Sequence, residues 1–172
     1  MSFINVEIKA HCSNPEDTEF ILMQSNADFI GTDHQVDTYF NVGSGRLKLR
    51  EGNIENALIH YERSNASGPK TSEVVLYKPA KGQALKEVLK KSLGVLVVVD
   101  KKRKIFFIDN VKFHIDAVEE LGSFVEIEAI DKNGSIGKDK LQQQCNHFVQ
   151  LLNIKEKDLV SFSYSDLLMQ GK

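Results

Sequence analysis

The chain has 172 residues, with 22 Lys+Arg against 24 Asp+Glu, five His, two Cys and no Trp, for a net charge of −2. That length suits one domain, residues 1–172, and the hydrophobic and charged fractions of 41% and 27% exclude wholesale disorder. A near-neutral balance argues against a general nucleic-acid binder, and the longest apolar run, Val95–Val99, is strand-sized, far short of a membrane span.

A first strand is expected at Ile4–Ala10, where Ile4, Val6, Ile8 and Ala10 alternate with Asn5, Glu7 and Lys9. A helix follows, capped by Ser13 or Asn14, with Pro15 and acids in its first turn and an end near Gly31. Strands are expected at Gln35–Asn41, Leu47–Arg50, Leu58–Arg63 and Val74–Lys78, with a turn at Gly43–Gly45 and a mobile surface loop at Ser64–Lys70. Leu85, Val88, Leu89 and Leu93 fall at helical spacing, ended by Gly94. Four more strands are read at Val95–Lys101, Lys104–Ile108, Val111–Asp116 and Phe124–Ile130, with a hairpin corner at Asp109-Asn110. A helix from about Gly137 to Leu152 places Leu141, Cys145, Phe148, Val149 and Leu152 on one stripe, and a short last helix starts at Ser163. Many antiparallel strands with few helices make an α+β protein whose sheet closes, or nearly closes, into a β-barrel with peripheral helices.

Residues two apart on a strand share a face. Arg46, Lys48 and Arg50 therefore lie opposite Leu47 and Leu49, and Glu126 and Glu128 lie opposite Val125, Ile127 and Ala129. Lys101 and Arg103 share a face if their strand continues. Each polar face alone fits the solvent side of a sheet. Together they fit better inside a barrel, because three like charges along one strand repel unless an anion compensates them. Glu126 and Glu128, about 6.5–7 Å apart along a strand, suit one hard cation such as Mg²⁺ or Mn²⁺, with Glu7 on a neighbouring strand as a third ligand. The histidines are scattered, though His114 could share the face of Asp116. Cys12 and Cys145 form no ligand or nucleophile pattern, and the N-terminus carries no secretory pattern, so a cytoplasmic protein is expected. In Lys101-Lys102-Arg103-Lys104 the alternation sends neighbours to opposite faces, which argues against a nucleic-acid patch. Gly43-Ser44-Gly45 lacks the Gly-Lys-Ser/Thr of a phosphate loop.

These segments resemble the CYTH family, named for class IV adenylyl cyclase and thiamine triphosphatase, whose members process triphosphates in an antiparallel tunnel. The resemblance runs through Asn5-Val6-Glu7-Ile8-Lys9 (the family's E-x-E-x-K), Gln35–Phe40, Leu47–Arg50, Tyr61–Arg63, Lys101–Arg103, Ile115-Asp116, Leu121–Glu128 and Ser163–Leu168. The Gln35–Phe40 and Ser163–Leu168 segments look more like the cyclase branch. The resemblance implies that Glu7, Glu126 and Glu128 hold Mg²⁺ or Mn²⁺ with Asp116 as helper, and that Lys9, Lys48, Arg50, Arg63, Lys101 and Arg103 hold phosphates. Arg46 joins them by periodicity. Glu7 and Lys9 are the candidate catalytic residues. Two positions depart from the pattern: Asn5 replaces the first glutamate, removing a charge from the metal site, and Lys48 stands where Arg is common. The expected function is metal-dependent turnover of a triphosphate-containing small molecule, with hydrolysis slightly favoured. Cyclisation of ATP to cyclic AMP and non-catalytic binding of a polyphosphate or nucleotide are the alternatives, and a homodimer is implied by the cyclase branch.

Overall fold

The computed structural model describes residues 1–63, 68–80 and 84–171. Eight antiparallel strands close a barrel: β1 (Ser2–His11), β2 (Asp28–Phe40), β3 (Arg46–Glu51), β4 (Ala57–Arg63), β5 (Lys70–Tyr77), β6 (Val95–Ile108), β7 (Val111–Val118) and β8 (Gly122–Asp131). Around the barrel they run β1-β5-β4-β3-β2-β6-β7-β8, so β1 closes on β8. Four helices flank it: α1 (Pro15–Gln24), α2 (Leu85–Leu93), α3 (Lys138–Leu151) and α4 (Tyr164–Gln170).

The main hydrophobic core lies outside the barrel. Val6, Ile8 and Ala10 of β1, Phe113 and Ile115 of β7, and Val125, Ile127 and Ala129 of β8 turn outward. They meet Leu22 of α1 and Leu141, Cys145 and Phe148 of α3. The expected α3 stripe thus docks on β1 and β8, with Phe148 edge-on to Phe113 at a centroid distance of 4.8 Å. Both cysteines are buried and free. A second cluster closes one barrel end, where Tyr164 and Leu168 of α4 meet Val97, Val99 and Phe124. Ser163 caps α4 in a reciprocal capping box with Asp166.

Several expectations are corrected. The first helix stops at Gln24, not near Gly31, because Asn26 takes a left-handed φ of 59° and turns the chain into β2. Gly31 instead sits at a β-bulge in β2, where a Cβ would come within 2.8 Å of Ile54 Cδ1. The two strands expected at Val95–Lys101 and Lys104–Ile108 are one, since the basic run between them continues the pairing with β2 without a break. Lys70 begins β5 and does not belong to the preceding loop; residues 64–67 of that loop lie outside the described residues. α2 forms as expected and is capped by Gly94, yet no residue of it is buried, and Val88 is 56% exposed.

Candidate functional site

The polar faces look inward. On β1 the lumen receives Phe3, Asn5, Glu7 and Lys9; on β3, Lys48 and Arg50; on β4, Ile59, Tyr61 and Arg63; on β6, Lys101 and Arg103; on β8, Glu126, Glu128 and Ile130. These side chains line one cavity of about 180 Å³. The solvent-side reading of these faces is therefore overturned: closure of the barrel turns them inward, and on β1, β7 and β8 helices cover the opposite, apolar side. Lys102 is exposed and Lys104 half-buried outside, as the alternation required.

Pairing register sets the acidic wall. β1 and β8 align Glu7 opposite Glu128 and Lys9 opposite Glu126. Two carboxylates directly opposite each other repel, unless a cation lies between them. Asn5 Nδ2 donates to Glu128 Oε1 at 2.5 Å, while Asn5 Oδ1 is buried without a partner among the described residues. This donor set, two carboxylates and an unused amide oxygen, fits a hard divalent cation. Glu126 is already engaged: Lys9 Nζ lies 3.3 Å from Oε1, while Arg103 Nη2 and His114 Nδ1 lie 3.2 and 2.9 Å from Oε2. Burial raises its pKa, but Lys9 and Arg103 outweigh that and hold it well below the usual range. As an ionised acceptor, Glu126 requires His114 to carry its proton on Nδ1, which leaves Nε2 a buried acceptor without a partner among the described residues. Burial and the nearby Arg103 also lower the His114 pKa, so the ring is neutral.

Asp116 is placed differently. Arg103 donates to both its oxygens at 2.7 Å, and Tyr164 Oη donates to Oδ2 at 2.6 Å. The group stands next to Glu126 in a His114–Asp116–Glu126 cluster and orients Arg103. Arg46 donates to Asp166 Oδ2 at 2.7 Å, tying β3 to the cap of α4, and is not among the residues lining the lumen.

The basic wall is organised by Asp37, a residue that sequence reasoning gave no role. Arg50 donates to it through Nε and Nη2 at 2.9 and 2.8 Å, Lys101 donates at 2.8 Å, and Lys48 Nζ lies 3.2 Å away. One carboxylate thus answers three cations. Burial opposes its ionisation, but Arg50, Lys101 and Lys48 hold its pKa well below the usual range. Lys101 feels the shortage: burial lowers it to about 7 despite Asp37, with Arg50 and Arg103 adding to the fall. Burial likewise lowers Lys70, helped by Arg63, to about 8. Arg63 pairs through Nη1 with Glu7, yet its Nε and Nη2 are buried without hydrogen-bond partners among the described residues. Unmade buried guanidinium hydrogen bonds are costly, so these donors suit an anionic ligand.

Glu55 was also missed. It enters from the β3–β4 turn, where Asp33 accepts from the N–H groups of Asn53, Ile54 and Glu55 at 2.6–2.9 Å. Gly52 makes room for that turn, since a Cβ there would lie 2.7 Å from Asp33 Oδ2. The carboxylate then receives Gln35 at 2.9 Å and Lys112. Lys112 was legible, as it alternates with His114 and Asp116 on β7; a turn residue such as Glu55 carries no periodic signal. Acidic groups thus stand among the cations, in Asp37, Asp116 and Glu55.

The family model described as the CYTH domain matches residues 4–164. A Methanocaldococcus jannaschii protein provisionally named an adenylate cyclase is 28% identical over 175 residues, covering 95% of this chain and 98% of its own. The structure of a Pyrococcus horikoshii protein superposes with a TM-score of 0.74 at 25% identity, covering 95% of this chain and 98% of that one. A Hippeastrum protein provisionally named an adenylyl cyclase, described as revealing a dominant triphosphatase activity, shares the fold at a TM-score of 0.63 and 13% identity, with 98% and 96% coverage. No helix among the described residues is long and apolar enough to cross a membrane.

Proposed function

The chain belongs to the CYTH family, and from that premise we propose that residues 1–172 work as one domain hydrolysing the terminal phosphate of a triphosphate with Mg²⁺ or Mn²⁺. The observation that carries this reading is Arg63: two buried guanidinium donors lie without partners among the described residues, beside Glu7, which itself faces Glu128. An anion and a cation would answer both deficits at once. Glu7, Glu128 and the Asn5 amide oxygen would hold the cation with Glu126 beside them, and Asp116 acts through Arg103. Bound there, the cation would neutralise phosphate charge and draw electron density from the phosphoryl oxygens.

Arg63, Lys9, Lys48, Arg50, Lys101 and Arg103 bind phosphate oxygens and stabilise the charge that develops on the bridging oxygen as its bond to the terminal phosphorus breaks. Lys9 is well placed for this, with its ammonium 3.7 Å from the Tyr164 ring centroid and 3.3 Å from Glu126. A water attacks the terminal phosphorus, and Glu7 orients it and accepts its proton, which passes to solvent. Arg46, paired with Asp166, holds β3 against the cap of α4 beside this basic set. Cyclisation is the second reading, favoured by the name of the Methanocaldococcus jannaschii relative; there, a ribose hydroxyl would replace water and attack the α-phosphorus, the bond to the β-phosphate would break, and pyrophosphate would leave.

The test incubates the purified protein with ATP, thiamine triphosphate and inorganic triphosphate, with Mg²⁺ or Mn²⁺ and with chelator. Orthophosphate and the matching diphosphate, lost on chelation, are expected. Cyclic AMP and pyrophosphate would replace this reading with cyclisation. Binding without product at any metal concentration would leave a polyphosphate or nucleotide binder.

A further inference from the structure

The cations around the lumen are matched to carboxylates, with one exception among the described residues. Lys9 has Glu126, Arg63 has Glu7, Arg103 has Asp116, Lys112 has Glu55, and Lys48, Arg50 and Lys101 share Asp37. Lys70 is the exception. It begins β5, on the face that continues inward through Ser72, Val74 and Leu76. Register sets it directly opposite Glu7, and it is only 3% exposed. Its ammonium donates to a neutral group, the carbonyl oxygen of Ser161.

Ser161 lies in the segment that leads into α4, and that segment is held by other bonds. The Val160 N–H donates to the Lys9 carbonyl at 2.9 Å, and Leu159 bridges to Ala10. Tyr164 and Asp166 anchor the start of α4 on Asp116 and Arg46. An anchor for this segment therefore does not call for a buried ammonium, which is strongly destabilising without an opposite charge. Burial disfavours the charge on Lys70, and Arg63 repels it more than Glu7 attracts it, with Lys9 and Arg46 adding to the repulsion.

Arg63 carries the matching deficit. Its Nε and Nη2 are buried without hydrogen-bond partners among the described residues. Both cations flank Glu7, Arg63 by an ion pair and Lys70 by register. An ammonium has three donors, so Lys70 can keep Ser161 and still offer two N–H groups to an anion lying between it and Arg63.

We propose that Lys70 is a further anion-binding residue, which with Arg63 Nε and Nη2 grips the phosphate group at the α4 end of the lumen. Its bond to Ser161 then ties the segment before α4 to the occupied site. This deepens the triphosphate reading and rests on it.

The experiment measures the dissociation constant of inorganic triphosphate by calorimetry, on the full chain with Mg²⁺, beside the melting temperature without ligand. Lys70→Met keeps the length of the side chain and removes its charge. Its affinity for inorganic triphosphate is expected to fall about tenfold to a hundredfold, the worth of one charge-assisted contact. Its ligand-free melting temperature should hold or rise, because an unpaired buried charge is gone. A residue that only anchors the segment before α4 gives the opposite pattern, a lower melting temperature with affinity unchanged. Unchanged affinity in Lys70→Met overturns the inference and leaves the triphosphate reading intact. If Lys70→Met melts early or fails to fold, Lys70→Gln decides, since it keeps a donor for Ser161 and loses the charge. Its affinity should still fall about tenfold, and an affinity equal to the wild type overturns the inference. Wild-type protein that does not bind inorganic triphosphate at all overturns the inference and the triphosphate reading together.

Discussion

The outer and inner faces of β1 and β8 are built on opposite principles. Outward, Val6, Ile8, Val125, Ile127 and Ala129 are almost completely buried beneath α1 and α3, with apolar neighbours on every side. Inward, the alternate residues of the same strands include Asn5, Glu7, Lys9, Glu126 and Glu128, and the Asn5 amide oxygen has no partner among the described residues. A barrel of ordinary construction fills its interior and exposes its outside. Here the stabilising core is moved outside, so the interior is free to keep like charges together. Stability and chemistry are carried by alternate residues of one strand, and a substitution should disturb one without the other.

That separation can be broken from either side. Phe113→Ala, which empties the outer core against Phe148, is expected to cost about 3–5 kcal/mol in urea unfolding. The triphosphate affinity of the folded fraction should stay unchanged. A large affinity loss would mean that the two faces are coupled. On the inner face, Glu128→Gln keeps shape and removes the charge opposite Glu7. Metal-dependent turnover should fall about 10²–10³-fold, while the melting temperature in chelator holds or rises because the like-charge pair is gone.

Asn5→Asp sharpens the comparison at the position where this chain departs from the family pattern. The change converts the Asn5–Glu128 hydrogen bond into a carboxylate pair. The metal-free protein should melt at a lower temperature, and the Mg²⁺ concentration giving half-maximal stabilisation should drop about tenfold. If chelator and Mg²⁺ leave the variant and the wild type equally stable, Asn5 does not face the cation.

The smallest expected effect concerns protons. In the free protein Lys101 is held near 7 by burial, against Asp37, and so is largely neutral at pH 8. A phosphate beside it favours the ammonium, so binding at about pH 8 should take up about one proton, and uptake should fade below about pH 6, where the ammonium is already present. Calorimetry in two buffers of different ionisation enthalpy measures it. Zero uptake at pH 8 would mean that phosphate does not reach the Lys101 level.

Much of this protein was legible along the chain. Alternation placed Glu7, Lys9, Lys48, Arg50, Glu126 and Glu128 correctly by face, and the caps of α1, α2 and α4 were readable from Asn14, Gly94 and Ser163. Face membership is a local property fixed by the two-residue period of the strand. Where the site depends on which strands adjoin, the chain was silent. Asp37 as the shared partner of three cations, Asp116 as the holder of Arg103, and Glu55 brought in by a turn cradled on Asp33 all arise from long-range pairing. The end of α1 and the unbroken β6 were misread for a similar reason, since a left-handed Asn26 and a continuous ladder with β2 decide them.

The sequence by itself determined the strands, their two faces and the chemical type of each, because side-chain direction follows backbone period. Only the tertiary structure decided how the strands close around one lumen and which carboxylates stand opposite each other. Those depend on closure and register, and a shift of one residue in register would turn every one of these side chains to the other face.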